Sequence, residues 1–394
     1  TRWRIPSRST GSWTSPPRAK RALAAQAIAK ARVQARAQVQ AQGQAQAQAA
    51  QAQVQVQAQM QASVNRVVDD CDRAGSSGSP RIDVIAPSGA VLSQQVFEAA
   101  LARLRAQGCV VRSRLRSNSW LRFSDTDEGR LAQIHDAARA GDVDLVMIAR
   151  GGYGLSRLLD RIDWPLVAAS VRRGVRWVGF SDFTAFQLAL LAATGAASWA
   201  GPAVYGDFGE SEPDPYTLAQ FRRLLEGHAP VVEWRDRTRA DAADPGTVDG
   251  TLWGGNLAMI ASLAGTRWMP DIDGGLLFVE DVAEHPYRIE RMLLQLLHAG
   301  VLARQRAILF GSFTDWKPSP HDNGFDLATV ARHLEDRIGI PVIDGLPFGH
   351  IRRRAVLGVG RDYRLERRRR GAEDGNESAR WRLDPIEPAV TAPR

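Results

Sequence analysis

The sequence predicts an α/β protein built on parallel sheets. Three observations carry that reading. Short apolar runs recur between residues 82 and 345, stretches with helical spacing alternate with them, and Gly, Pro, Asp and Ser punctuate the joins. Parallel strands need a crossover between them, so strands alternating with helices imply a sheet covered on both faces. A chain of 394 residues has material for two or three domains.

The elements follow in order. IDVIAP (82–87) reads as a buried strand ended by Pro87-Ser88-Gly89. Val96, Ala99, Leu101 and Leu104 give 94–107 helical spacing, and 109–114 reads as a second strand. Residues 131–139 read as a helix, 143–150 as a third strand, 156–164 as a helix, and 175–180 as a fourth strand. TAFQLALLAATG (184–195) is a helix with a glycine stop. Residues 227–249, rich in Asp, Pro and Gly, mark a linker between a domain at 81–226 and a second at 250–366. In the second domain, 250–265 resumes the pattern. It continues through a strand at 276–281, a helix at 287–297, a strand at 306–313, a helix at 326–337 and a strand at 341–345. Residues 355–366 read as a late hairpin, and 367–394 as a charged, solvated tail.

Charge is distributed unevenly. Of the net +8, residues 1–80 hold 11 basic and 3 acidic groups, and 361–394 hold 9 and 7. The span 81–360 is left with 31 basic and 33 acidic groups, a net of −2, so overall basicity says little about the substrate. From Ala37 to Ala62 Gln alternates with Ala or Val; such a tract has little to bury, and 1–80 reads as a disordered Gln/Ala-rich extension. Two cysteines, Cys71 and Cys109, give no disulfide framework and favour a reducing, cytoplasmic setting. No Cys/His cluster has zinc-ligand spacing, no apolar run reaches membrane-span length, and no h-region marks a secretory signal.

Candidate chemistry gathers at strand ends. ARGGYGLSRLLD (149–160) runs from a strand through a glycine turn to Ser156, where open α/β sheets bind ligands. Gly154 and Ser156 match part of the G-x-S-x-G nucleophile elbow, and Leu158 breaks it. Ser156 is therefore a nucleophile candidate, with an N-cap or a phosphate loop as the alternatives. Ser181 in VGFSDFTA is a rival in a similar setting; read alone, Ser181 or Asp182 caps the following helix. A serine nucleophile needs a base and a group to orient it. Of seven histidines, His135, His298 and His333 fall in helical patterns, and His228 and His321 in polar loops. His285 sits at a helix entry, and His350 closes IDGLPFGH just past a buried strand. Glu280 and Asp281 end the apolar strand LLFV; Arg288 and Arg291 on the next helix offer a plain ion-pair explanation for them.

Taken together, these stretches resemble the L,D-carboxypeptidase family of serine peptidases. The resemblance covers about 82–362 and rests on IAPSG (85–89), RGGYGLSRLLDRIDW (150–164), FSDFTA (180–185), GTLWGGNLAM (250–259), VEDVAEHPYRIERMLLQL (279–296) and GLPFGH (345–350). It implies an N-terminal Rossmann-like parallel-sheet domain and a C-terminal mixed α/β domain, with the active site at their interface. It implies Ser156 as nucleophile, His350 as base and Glu280 as the acid that orients it. The backbone N–H groups of Arg157 and Gly152 would line the oxyanion hole, and Asn256 and Trp253 would contact substrate. No cofactor or metal is implied. The implied reaction is release of the terminal D-alanine from murein tetrapeptides during cell-wall recycling, by a cytoplasmic homodimer. Two other readings are a self-immunity peptidase of the same family acting on microcin C-type peptidyl nucleotides, and nucleic-acid binding through the basic ends.

Overall fold

A computed structural model describes residues 78–115, 119–235, 246–368 and 380–386. The expected N-terminal extension lies, apart from its last three residues, outside the described residues.

The first sheet comes from β1 (Arg81–Ile85), β2 (Val110–Ser113), β3 (Leu145–Ile148), β4 (Arg176–Gly179) and β5 (Ser198–Ala200), with β11 (Leu357–Val359) added late. Its order is β11-β5-β4-β3-β1-β2, all parallel except β11 on β5. The parallel pairs are connected through α1 (Gln94–Ala106), α2 (Asp127–Arg139), α3 (Trp164–Arg172) and α4 (Phe183–Thr194). Local chemistry sets several helix starts. Ser93, Thr126 and Asp163 each accept a backbone N–H of the first turn at 3.3, 3.1 and 3.0 Å, a cap worth about 1 kcal/mol. Helix α4 ends at Gly195, whose φ of +69° is the left-handed cap glycine tolerates.

The second sheet holds β6 (Val232–Arg235), β7 (Val248–Asn256), β8 (Leu276–Val282), β9 (Ala307–Thr314), β10 (Val342–Ile343), β12 (Arg361–Arg368) and β13 (Arg380–Pro385), in the order β10-β9-β8-β7-β12-β13-β6. The β10-β9-β8-β7 half is parallel, and the β7-β12-β13-β6 half antiparallel, hence a mixed sheet. Helices α6 (Leu257–Leu263), α7 (Pro286–His298) and α8 (Leu327–Ile338) supply its crossovers, while α5 (Pro215–Leu225) leads from the first sheet toward β6. The α/β class and the two-domain division are as the sequence predicts. One apolar core runs from Phe186 and Leu188 on α4 to Trp253, Leu257 and Phe278 in the second domain.

Four local expectations change. The helix expected over 156–164 is a single 3₁₀ turn, Leu155–Arg157, because Asp163 caps and Pro165 opens the regular helix from Trp164. The expected hairpin at 355–366 is two strands in different sheets: β11 joins β5, the chain turns at Gly360 (φ +83°), and β12 joins β7. The expected linker contains β6, whose Val232 and Trp234 are buried. The expected tail is part of the second sheet: β12 reaches Arg368, and β13 buries Trp381 and Leu383. In β6, β12 and β13 charged residues alternate with the buried ones and hide the strand in a composition count.

Trp381 lies fully buried between β12 and β6. Trp381→Ala should cost about 3–5 kcal/mol, read as a lowered urea midpoint; unchanged stability would restore the solvated-tail reading.

Candidate active site

Strand β4 ends at Gly179, and after three intervening residues the chain enters α4 at Phe183. Ser181 sits in that turn with φ +64°, a conformation rare outside glycine and a mark of stored strain. The turn is tight: Phe183 N–H donates to the Phe180 carbonyl at 3.3 Å, and Thr184 N–H to the Ser181 carbonyl at 2.9 Å. The glycine turn after β3 leans on this serine. A Cβ on Gly151 would stand 2.8 Å from Ser181 Cβ, so only glycine fits there.

Asp182 anchors the elbow. Its buried carboxylate accepts from Ser88 Oγ at 2.6 Å and from Leu155 N–H at 3.0 Å, joining the loops after β1 and β3. Burial pushes its carboxyl up, opposed by the hydrogen bonds from Ser88, Leu155 and Gly154. The expected cap is not formed: no side-chain cap bond starts α4.

The second domain supplies the partners. Glu280, fully buried on β8, places Oε2 2.7 Å from His350 Nδ1. His350 Nε2 lies 3.1 Å from Ser181 Oγ. Asn256, at the end of β7, holds both strand-end acids: its Nδ2 donates to Asp281 Oδ1 at 2.8 Å and to Glu280 Oε1 at 3.3 Å. Burial pushes the Asp281 carboxyl up, opposed by the bonds from Val282 N–H and Asn256. Arg288, one of the expected ion-pair partners of these acids, instead pairs with Glu284 at 3.6 Å. Gly349 lets the loop pass: a Cβ there would meet the Ser312 carbonyl at 2.8 Å and Glu280 Cβ at 3.1 Å.

A residue that the sequence reading missed fixes the His350 loop. Arg354, 4% exposed, donates through Nε to the Gly349 carbonyl at 2.8 Å and through Nη2 to the Ile351 carbonyl at 3.0 Å. Its Nη1 bonds the buried Asp207, and its guanidinium stacks 3.8 Å from the Phe180 ring centroid. Beside His350 opens a cavity of about 380 Å³, lined among others by Phe180, Asp207, Glu210, Thr217 and Arg354.

The structure thus brings Glu280 and His350 together, and the serine it places on the histidine is Ser181. Ser156 is exposed in the 3₁₀ turn, and its glycine turn forms a wall against Ser181. Arg157 N–H is donated to the Gly154 carbonyl at 3.3 Å, and its guanidinium pairs with Asp127, so it is not available to an oxyanion. Gly152, with φ +111°, stays in the turn that faces Ser181. Trp253 is core: its indole N–H donates to Gln305 Oε1 at 2.9 Å. Asn256 is 6% exposed, and its side-chain amide is engaged by Glu280 and Asp281. A signal for Ser181 was present: Gly179-Phe180-Ser181 makes the same partial G-x-S match as Gly154-Leu155-Ser156, and it sits directly between strand and helix.

Comparison with known proteins agrees with this architecture. Residues 82–201 match the LD-carboxypeptidase N-terminal domain and 249–365 the LD-carboxypeptidase C-terminal domain. A muramoyltetrapeptide carboxypeptidase from Oxalobacter formigenes superposes with a TM-score of 0.69 at 40% identity, covering 77% of this chain and 98% of that one. The murein tetrapeptide carboxypeptidase of Pseudomonas aeruginosa is 31% identical over 280 residues, 68% of this chain and 88% of its own. The microcin C7 self-immunity protein, at 22% identity and TM-score 0.66 over 80% of this chain and 98% of its own, shares the fold. The two matched domains, the strand-end site near their interface and these similarities place the chain in the LD-carboxypeptidase family, whose members are serine-type carboxypeptidases.

Proposed function

We propose that this enzyme removes the terminal D-alanine from murein tetrapeptides in cytoplasmic cell-wall recycling, with Ser181 as nucleophile, His350 as base and Glu280 as the acid that orients it. The observation that carries this reading is the continuous contact from Glu280 Oε2 through the His350 ring to Ser181 Oγ, at 2.7 and 3.1 Å. The similarity to tetrapeptide carboxypeptidases supports the substrate class.

The chemistry follows from the geometry. With Glu280 ionised, Nδ1 carries the proton, and Nε2 presents its lone pair to the serine hydroxyl. As Ser181 Oγ attacks the carbonyl carbon before D-alanine, its proton passes to Nε2 and the carbonyl electrons move to oxygen. Collapse breaks the C–N bond, and His350 gives its proton to the departing amine. Water then attacks the ester, loses a proton to Nε2, and releases the shortened peptide with Ser181 restored. Glu280 stabilises the imidazolium in both halves. The oxyanion donors in this reading are the Asp182 N–H, which follows the nucleophile in the elbow, and the Gly152 N–H across from it.

Two variants separate the serines. Ser181→Ala should lower kcat for D-alanine release by about 10⁴-fold or more, and Ser156→Ala should leave it near wild type; the reverse pattern would return the nucleophile to Ser156. Asn256→Ala should lower kcat at least about tenfold with KM little changed, since it loosens Glu280 and not the substrate. A raised KM at constant kcat would instead make Asn256 a substrate contact.

A further inference from the structure

The outer half of the second sheet carries a charge pattern that the reaction does not use. On β12, β13 and β6 one face buries Tyr363, Leu365, Trp381, Leu383, Val232 and Trp234. The opposite face carries charges in cross-strand rows. In one row Arg364 stands between Asp384 and Asp249 and binds Asp249 bidentately at 2.7 and 2.8 Å. In the next, Arg382 stands between Glu366 and Glu233 and binds Glu233 at 2.5 Å. The third row breaks the alternation: Arg368, Arg380 and Arg235 are in direct register, and of the three only Arg368 has a carboxylate partner among the described residues, Glu366 at 2.6 Å. Like charges opposite one another destabilise a sheet unless something neutralises them.

Two arginines of that row, Arg235 and Arg380, line a cavity of about 1050 Å³ together with Glu233, Tyr216, Arg353 and the 345–347 turn. Glu233, the one acid in its lining, is already held by Arg382. Arg235, Arg353 and Arg380 have no carboxylate partner among the described residues. The Arg353 guanidinium lies over the Tyr216 ring at 4.1 Å, and the Tyr216 hydroxyl is buried without a hydrogen-bond partner among the described residues. Burial pushes that phenol up to about 12, so it stays a donor at neutral pH. Three arginines without a carboxylate partner among the described residues line the same cavity as the residue with the orphaned hydroxyl, and a buried donor without an acceptor is costly.

We propose that this cavity is a second binding site, for a phosphate-bearing anion held by Arg235, Arg353 and Arg380 with the Tyr216 hydroxyl as a further donor. Guanidinium forks suit phosphate oxygens, and such an anion neutralises the like-charged row. The cavity shares Ile351 with the pocket beside His350, so its occupant bears on the loop that carries the histidine. The site stands independently of which serine is the nucleophile.

The test is calorimetric titration of the full chain with inorganic pyrophosphate at low ionic strength, with thermal melting alongside. Wild type should bind and melt higher with the anion, by linkage. Arg380→Gln and Arg235→Gln should bind at least about tenfold more weakly and lose the melting shift. Without the anion, Arg380→Gln should melt no lower than wild type, because it relieves repulsion in the row. No binding, or equal binding by wild type and both folded variants, overturns the site. Where binding is found, hydrolysis kinetics separate its sources. A raised KM marks the phosphate as part of the substrate, and an unchanged KM marks a separate effector.

Discussion

The site depends on one close approach between the two domains. The N–H of Asn256, at the end of β7, donates to Thr184 Oγ1 in the first turn of α4 at 3.0 Å. The preceding Gly255 makes this possible: at φ +141° its missing Cβ would fall 2.4 Å from the same hydroxyl oxygen. The contact fixes the helix that begins just after Ser181 against the strand whose end holds Glu280 and Asp281. Without it, serine and histidine would sit on separate supports, and a 3.1 Å separation would have no reason to persist.

Around that contact the molecule concentrates features that cost stability elsewhere. Ser181 holds a left-handed backbone, two adjacent carboxylates are buried on β8, and Asp182 is buried beneath the elbow. Each is offset locally. Asn256 bridges the two β8 acids, Ser88 and Leu155 both donate to one oxygen of Asp182, and Arg354 braces the His350 loop from behind. Buried polar groups tied by several hydrogen bonds make a rigid arrangement, and rigidity is what the proposed nucleophile and base would require.

Much of this was legible in the sequence because burial leaves a mark. The apolar runs at 82–87, 143–150 and 276–281 became strands, and Glu280 and His350 stood out as polar residues just past such runs. What stayed hidden depends on contacts distant in sequence. A serine between strand and helix looks the same whether it caps the helix or points at a histidine 169 residues away, so Ser181 passed for a cap. The glycine turn beside Ser156 looked like a nucleophile's seat and packs, through Gly151, against Ser181. Asn256 and Trp253 look equally suited to substrate, and only Gln305, Glu280 and Asp281 show otherwise. The strand at Trp381 was masked by arginines on its other face.

In the proposed mechanism the histidine held by Glu280 activates Ser181. The most direct measurement is reaction of the full chain with a serine-directed phosphonate, followed by peptide mapping of the adduct. The label is expected on Ser181, at a rate that falls when His350 is replaced by Ala. A label on Ser156, or a rate indifferent to His350, would contradict it.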